Sequence, residues 1–142
     1  MARYFIGVAE RAYVRAAVGE GVVLFSGGRE APVRNTAPGD KVIFYSPKDA
    51  HDGDPLQAFT ALGEITGNEV RLKTDWPDHT GFEAHVRDCA YEDVQETPIQ
   101  PLLEDLDFIE DSKNWGFYLQ GGKREISAGD YQRIAGAMLG GS

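Results

Sequence analysis

Apolar and aromatic positions cluster at the start of the chain, where Tyr4, Phe5, Ile6 and Val8 predict a short first strand. Residues 9–18 are Ala-rich and free of Pro and Gly, which favours a helix, with Gly19 and Gly21 as stop signals. A brief apolar stretch from Val22 to Phe25 then delivers the chain to a polar, Gly-rich segment, Ser26-Gly27-Gly28-Arg29-Glu30-Ala31-Pro32. Pro38-Gly39-Asp40 predicts a tight turn, because Pro fixes the first central φ and Gly accepts a positive one at the second. Val42, Ile43, Phe44 and Tyr45 do not alternate with polar residues, so this strand is expected to be buried on both faces, with Pro47 ending its pairing.

Further along, residues 56–65 predict another strand, and Gly67-Asn68 a hairpin turn into residues 70–73. Phe82, Ala84 and Val86 alternate with Glu83, His85 and Arg87, the pattern of a strand with one wet face. That alternation slips at Asp88, since Cys89 and Tyr91 fall on the opposite parity, and a β-bulge is expected there. Pro98 and Pro101 open a short helical segment through Leu102, Leu103 and Leu106. Ser127, three residues before Asp130, caps a last helix running to about Leu139, and Gly140-Gly141-Ser142 reads as a frayed tail. Five or six short strands and about three helices, without long crossover helices between strands, predict an α+β domain. Its sheet should be mostly antiparallel and curled, or a small barrel, and one domain should span residues 1–142.

Composition narrows the function classes. A chain of 142 residues with 42% hydrophobic and 26% charged positions suits one globular core. No apolar run approaches the roughly 20 residues that span a bilayer, and the N-terminus does not read as a signal peptide. The single cysteine, Cys89, leaves no internal disulfide, so a cytoplasmic location is expected. The formal net charge of −9 opposes sequence-independent binding to a phosphate backbone. Arg29, Arg34, Lys41 and Lys48 nevertheless form a locally basic stretch, while acid gathers at Glu92-Asp93 and over residues 104–111.

Motifs for chemistry are weak. His51, His79 and His85 have no metal-ligand spacing, and residues 49–54 do not meet the calcium-loop pattern, so no metal or cofactor is expected. Ser26, Ser46 and Cys89 are the available nucleophiles, but Ser46 lies between Tyr45 and Pro47 rather than in a nucleophile elbow. The sequel to Gly27-Gly28 is Arg-Glu-Ala-Pro, which is a weak signal for a phosphate loop. What remains is aromatic. Phe25, Tyr45, Trp76 and Trp115 each close an apolar run or flank turn residues, positions where rings usually serve as core lids. Beside a Ser-Gly-Gly loop they also fit a pocket for a flat ring.

Several strings occur in a fixed order: Tyr-Phe-Ile-Gly-Val, Gly28-Arg29-Glu30-Ala31-Pro32, Pro38-Gly39-Asp40, Tyr45-Ser46-Pro47-Lys48 and Leu56-Gln57-Ala58-Phe59-Thr60. Pro98-Ile99-Gln100-Pro101-Leu102, Asn114-Trp115-Gly116 and Glu125-Ile126 follow. In this the chain closely resembles the EVE domain family, from about Arg3 to Met138. The resemblance implies a PUA-like fold, similar to PUA, ASCH and YTH domains. It further implies recognition of a modified base in DNA or RNA without catalysis, a free nucleoside or other small planar metabolite being the alternative partner. By position it implies Phe25 and Trp76 as pocket walls, Ser26 and Gly27 as backbone contacts, and Tyr45, Ser46, Pro47 and Lys48 as floor and rim. Arg29 and Lys48 would reach flanking phosphates, and Trp115 completes the expected ligand-binding set. Where family members often carry arginines, this chain has Gly81-Phe82-Glu83-Ala84-His85 and Phe117-Tyr118-Leu119-Gln120. Those changes favour base binding over strong polynucleotide binding.

Overall fold

The computed structural model describes residues 2–50, 52–77 and 81–140. In chain order they form β1 (Tyr4–Val8), α1 (Arg11–Glu20), β2 (Val22–Val23), α2 (Glu30–Arg34), β3 (Lys41–Lys48) and β4 (Pro55–Ile65). β5 (Arg71–Lys73), β6 (Ala84–Tyr91), β7 (Thr97–Pro98), β8 (Lys123–Ile126) and α3 (Ala128–Met138) follow. Turns of 3-10 helix lie at Ser26–Gly28, Gln100–Asp105 and Ser112–Leu119. One sheet runs in the order β2-β6-β4-β3-β1-β8, with β5 added to β6 and β7 to β4. Only the pair β1 and β3 is parallel; the other described pairings are antiparallel. The fold is α+β and PUA-like, a curled mixed sheet with short helices packed around it. The strand count exceeds the expected five or six because β2 and β7 hold two residues each, too few to leave a periodic signal.

β3 carries the architecture. Every residue from Val42 to Ser46 is buried, as the unbroken apolar run requires. Successive side chains go to opposite faces. Val42 and Phe44 join one core with Val14, Phe25, Val33, Ala61 and Ile65. Ile43 and Tyr45 join another with Ile6, Phe59, Leu62, Ile99 and Ile134. In β4 the pairing jumps from Phe44↔Ala61 to Tyr45↔Phe59, leaving Thr60 as an extra residue. That bulge lets Phe59 and Ala61, two apart, reach opposite cores.

Three local expectations are corrected. Pro47 does not end the pairing of β3; it sits in an irregularity, and pairing resumes at Lys48↔Pro55. Gly67-Asn68 does not close a hairpin, because β5 pairs with β6 in the register Arg71↔Val86 rather than folding back on β4. The bulge near Asp88 is present, but its extra residue belongs to the facing segment. The N–H groups of Thr66 and Gly67 both donate to the Asp88 carbonyl, at 3.0 and 3.1 Å. The terminal residues Gly141 and Ser142 lie outside the described residues.

Helix ends follow their capping chemistry. α1 passes through Gly19 and stops at Gly21, whose φ of 68° lets its N–H reach the carbonyls of Ala17 and Val18. Ser127 accepts from the Asp130 N–H at the start of α3. Arg87 is buried and clips α2 to the sheet without a carboxylate partner among the described residues. Its Nε donates to the Val33 carbonyl at 3.1 Å and to Thr36 Oγ1 at 3.0 Å, and its Nη2 donates to the Arg34 carbonyl at 3.2 Å. These are carbonyls that α2 leaves unpaired at its end. Arg87→Leu should therefore lower stability by about 3 kcal/mol in chemical denaturation, because several buried acceptors lose their donor together. A loss below about 0.5 kcal/mol, the range of ordinary surface changes, would show that the clip is dispensable.

Candidate functional site

On the Phe44 side of β3 a cavity of about 350 Å³ opens between α1 and the Ser26–Gly28 turn. α1 contributes Tyr13, Val14 and Ala17, with Glu10 at its entry; the spacing of three and four residues places them on one helix face. Leu24, Phe25, Ser26 and Gly27 form the opposite wall, Phe44 and Pro47 the floor, and Phe82 closes one end. Its volume falls in the range of small-ligand sites, and its lining is mostly apolar with a few polar groups.

The rings are held by close packing. Phe25 lies 6.2 Å from Phe44, nearly parallel at 28°, and 6.5 Å from Phe5. A Cβ on Gly7 would come within 2.6 Å of the Phe44 ring and 3.2 Å of the Phe25 ring, so glycine there gives both rings their seat. The Lys123 amine stands 4.4 Å from the centre of Phe5 and 5.3 Å from that of Phe25, and donates to the Pro32 carbonyl at 2.7 Å. Burial, and secondly repulsion from Arg3, lower its pKa from the ordinary lysine value. Phe82 bridges two further rings, 5.7 Å from Tyr13 and 5.5 Å from Trp76.

The Ser26–Gly28 turn has an unusual backbone. Ser26, Gly27 and Gly28 have φ of 53°, 73° and 91°, all in the left-handed region. The buried Gly28 N–H donates back to the Phe25 carbonyl at 3.0 Å, and of the three residues only Ser26 resists this backbone sterically. Ser26 Oγ donates to the Gly121 carbonyl at 3.4 Å, tying the turn to the segment before β8. Gly28 is pressed onto β6, where an added Cβ would lie 2.6 Å from Ala84 Cβ and 2.8 Å from its Cα.

Of the residues expected at a ligand site, Phe25, Ser26, Gly27 and Pro47 line this cavity. Arg29 and Lys48 are exposed and lie outside the lining, two residues after Gly27 and one after Pro47. Tyr45 and Trp115 lie elsewhere. They pack edge-on at 6.3 Å in the other core, because Tyr45 has the opposite parity to Phe44. Burial pushes the Tyr45 phenol up to about 12. Ser46 is fully buried, 2.8 Å from Thr60 Oγ1, and points to the bulge rather than to the cavity mouth. Trp76 is 5% exposed and packs with Val22, Ala84 and Val86, behind Phe82. Its Nε1 is buried without a hydrogen-bond partner among the described residues.

The model of the EVE domain matches residues 3–137. The chain belongs to the EVE domain family. It is 38% identical over 140 residues to the UPF0310 protein msl3206 of Mesorhizobium japonicum, covering 97% of this chain and 93% of that one. It is 31% identical over 136 residues to UPF0310 protein YdcG of Bacillus subtilis, covering 95% and 91%. Among solved structures it is similar to the YTH domain of Zygosaccharomyces rouxii MRB1, in complex with N6-methyladenosine RNA. That match has a TM-score of 0.62 at 16% identity, over 97% of this chain and 85% of that chain. The Pho92 YTH domain in complex with m6A also matches with a TM-score of 0.62, at 14% identity over 97% and 84%. At such identities the likeness concerns the fold alone.

In this EVE domain the sequence left Tyr13, Phe44 and Phe82 out of the expected site. The helical spacing of Glu10, Tyr13, Val14 and Ala17 was the one available signal, and Phe82 read only as the inward position of a strand. Among the described residues no three His, Cys, Asp or Glu side chains converge as a metal site; His51 and His79 lie outside them. His85 Nδ1 stands 3.3 Å from the Gly28 carbonyl and supports the turn. No helix among the described residues is long and apolar enough to cross a membrane.

Cys89 is buried, and burial pushes its thiol pKa up to about 12. Alkylation of the folded protein at pH 8 should therefore be negligible by mass spectrometry and complete in denaturant; rapid modification of the folded form would contradict that environment. Gly28→Ala should cost about 2–3 kcal/mol, since it adds both a positive-φ penalty and a collision with the β6 backbone. Thermal unfolding measures this, and an unchanged melting temperature would mean that the turn is not pinned to β6.

Proposed function

We propose that this EVE domain is a non-catalytic recognition module that receives a modified nucleobase, carried by DNA or RNA, in the cavity beside α1. The supporting observation is the cavity itself: it is roomy enough for a flat ring and offers the rings of Phe25, Tyr13 and Phe82 on its walls. The fold is shared with YTH domains that were solved with N6-methyladenosine. A base entering such a cavity leaves its stack at a cost of a few kcal/mol, which contact with aromatic faces offsets. A methyl group on the base adds apolar area at about 25 cal/mol per Å², which distinguishes it from the unmodified base. Ser26 and the backbone of Gly27, both in the cavity lining, supply polar contacts to the base edge.

Binding without turnover is part of the same reading. The Cys89 thiol is held protonated, and the Ser26 hydroxyl donates to the Gly121 carbonyl. The alternative partner, a free nucleoside or another small planar metabolite, is favoured by the formal net charge of −9, which repels long polyanions.

Calorimetric titration with N6-methyladenosine, 5-methylcytidine and 5-hydroxymethylcytidine, each against its unmodified parent, tests the reading. One modified nucleoside should bind at least about tenfold more tightly than its parent, and Phe82→Ala should weaken it by a similar factor, as expected for loss of one stacking face worth about 1–3 kcal/mol. The nucleoside should be recovered chemically unchanged. No preference for any modified base would overturn the proposal, and a different planar compound released from the purified protein would support the alternative partner.

A further inference from the structure

We infer that the base is presented by a single strand whose two flanking phosphates are held by Arg29 and Lys48, in a footprint confined to that one nucleotide and its neighbouring linkages. This rests on the reading of the cavity as a base pocket. The evidence is the disposition of the protein's cations. Most of those at the surface are already neutralised: Arg3 by Glu125, Arg34 by Glu30, Lys41 by Glu64 and Arg71 by Asp88. Arg87 and Lys123 point inward and donate to backbone carbonyls. Lys113 and Arg124 belong to the side of the sheet where Tyr45 and Trp115 pack, Arg124 lying over the rings of Phe108 and Tyr118.

Arg29 and Lys48 differ from these in combining three features: both are exposed, neither makes an ion pair among the described residues, and both, unlike Lys113, adjoin residues of the cavity lining. Each stands where the chain leaves the cavity lining, Arg29 just past the Ser26–Gly28 turn and Lys48 just past Pro47. Two unneutralised cations, one within two residues of Gly27 and one next to Pro47 in the cavity lining, match a ring with an anion on either side. The rest of the surface opposes a polyanion. With a formal net charge of −9, each further phosphate meets carboxylates or neutralised pairs and gains nothing. Duplex DNA is disfavoured for a second reason, since its base must first be unpaired and unstacked.

The salt dependence follows. Two phosphate contacts on a single strand give a slope of log K against log salt of about −1.4, and each cation accounts for about half of it. The test compares N6-methyladenosine and 5-methylcytidine, each as free nucleoside, as the centre of a trinucleotide, and as the centre of a strand of about twelve nucleotides, between about 50 and 200 mM salt. The trinucleotide should bind about tenfold more tightly than its nucleoside at the lowest salt, and the longer strand no more tightly than the trinucleotide. In Arg29→Gln and Lys48→Gln each, the slope should fall by about 0.7, and the ratio of trinucleotide to nucleoside affinity should move toward one. A nucleoside that binds while its trinucleotide binds no better, or a slope that neither variant changes, would overturn the two-phosphate footprint and leave the base pocket standing. A longer strand that binds much more tightly would overturn the confined footprint. Failure of every form to bind would remove the base pocket and this inference with it.

Discussion

The alternation of side chains along β3 is the constraint on which the rest of the structure depends. A strand buried on both faces must divide its apolar residues between two cores, so Val42 and Phe44 face α1 while Ile43 and Tyr45 face α3. The bulge at Thr60 lets β4 keep step with both sides. Everything at the cavity follows from that division. Phe44 becomes its floor, Gly7 leaves space for the rings of Phe44 and Phe25, and the helix face carrying Tyr13, Val14 and Ala17 closes over them.

A second requirement is that the Ser26–Gly28 turn be held in a backbone conformation that most residues avoid. It is gripped from both ends. Gly28 is pressed against Ala84 on β6, and Ser26 reaches the Gly121 carbonyl. Beyond it, α2 and the residues after it are clipped to β6 by Arg87 through the Val33 and Arg34 carbonyls and the Thr36 hydroxyl. Strain of this kind persists only when neighbouring structure over-determines it, and it is common where a ligand approaches backbone groups. The turn thus joins the stability of the sheet to the shape of the cavity.

Much of the fold was legible in the sequence. The unbroken run at Val42 to Tyr45, the Ser127 cap, Gly21 as helix stop and the parity slip near Asp88 each have a local physical cause. Pairing was less legible. Nothing local says that β5 continues along β6, or that pairing resumes beyond Pro47, because both depend on partners far away in sequence. At the site, the loop residues Phe25, Ser26 and Gly27 were recognisable from Gly chemistry and family strings. Tyr45 and Trp115 look like them in sequence, because strand ends do not reveal which face carries a ligand. Tyr13 and Phe82 give no local signal, because a helical tyrosine and a strand phenylalanine look like ordinary packing until three dimensions bring them 5.7 Å apart.

The central claim is that the Phe44 side of β3 holds a planar base. The most direct measurement is a crystal structure of the protein with its tightest-binding modified nucleoside. The base should lie between α1 and the Ser26–Gly28 turn, with its ring faces against Phe25 or Phe82 and its edge toward Ser26 and Gly27. A nucleoside found beside Tyr45 and Trp115, with the α1 cavity empty, would contradict it.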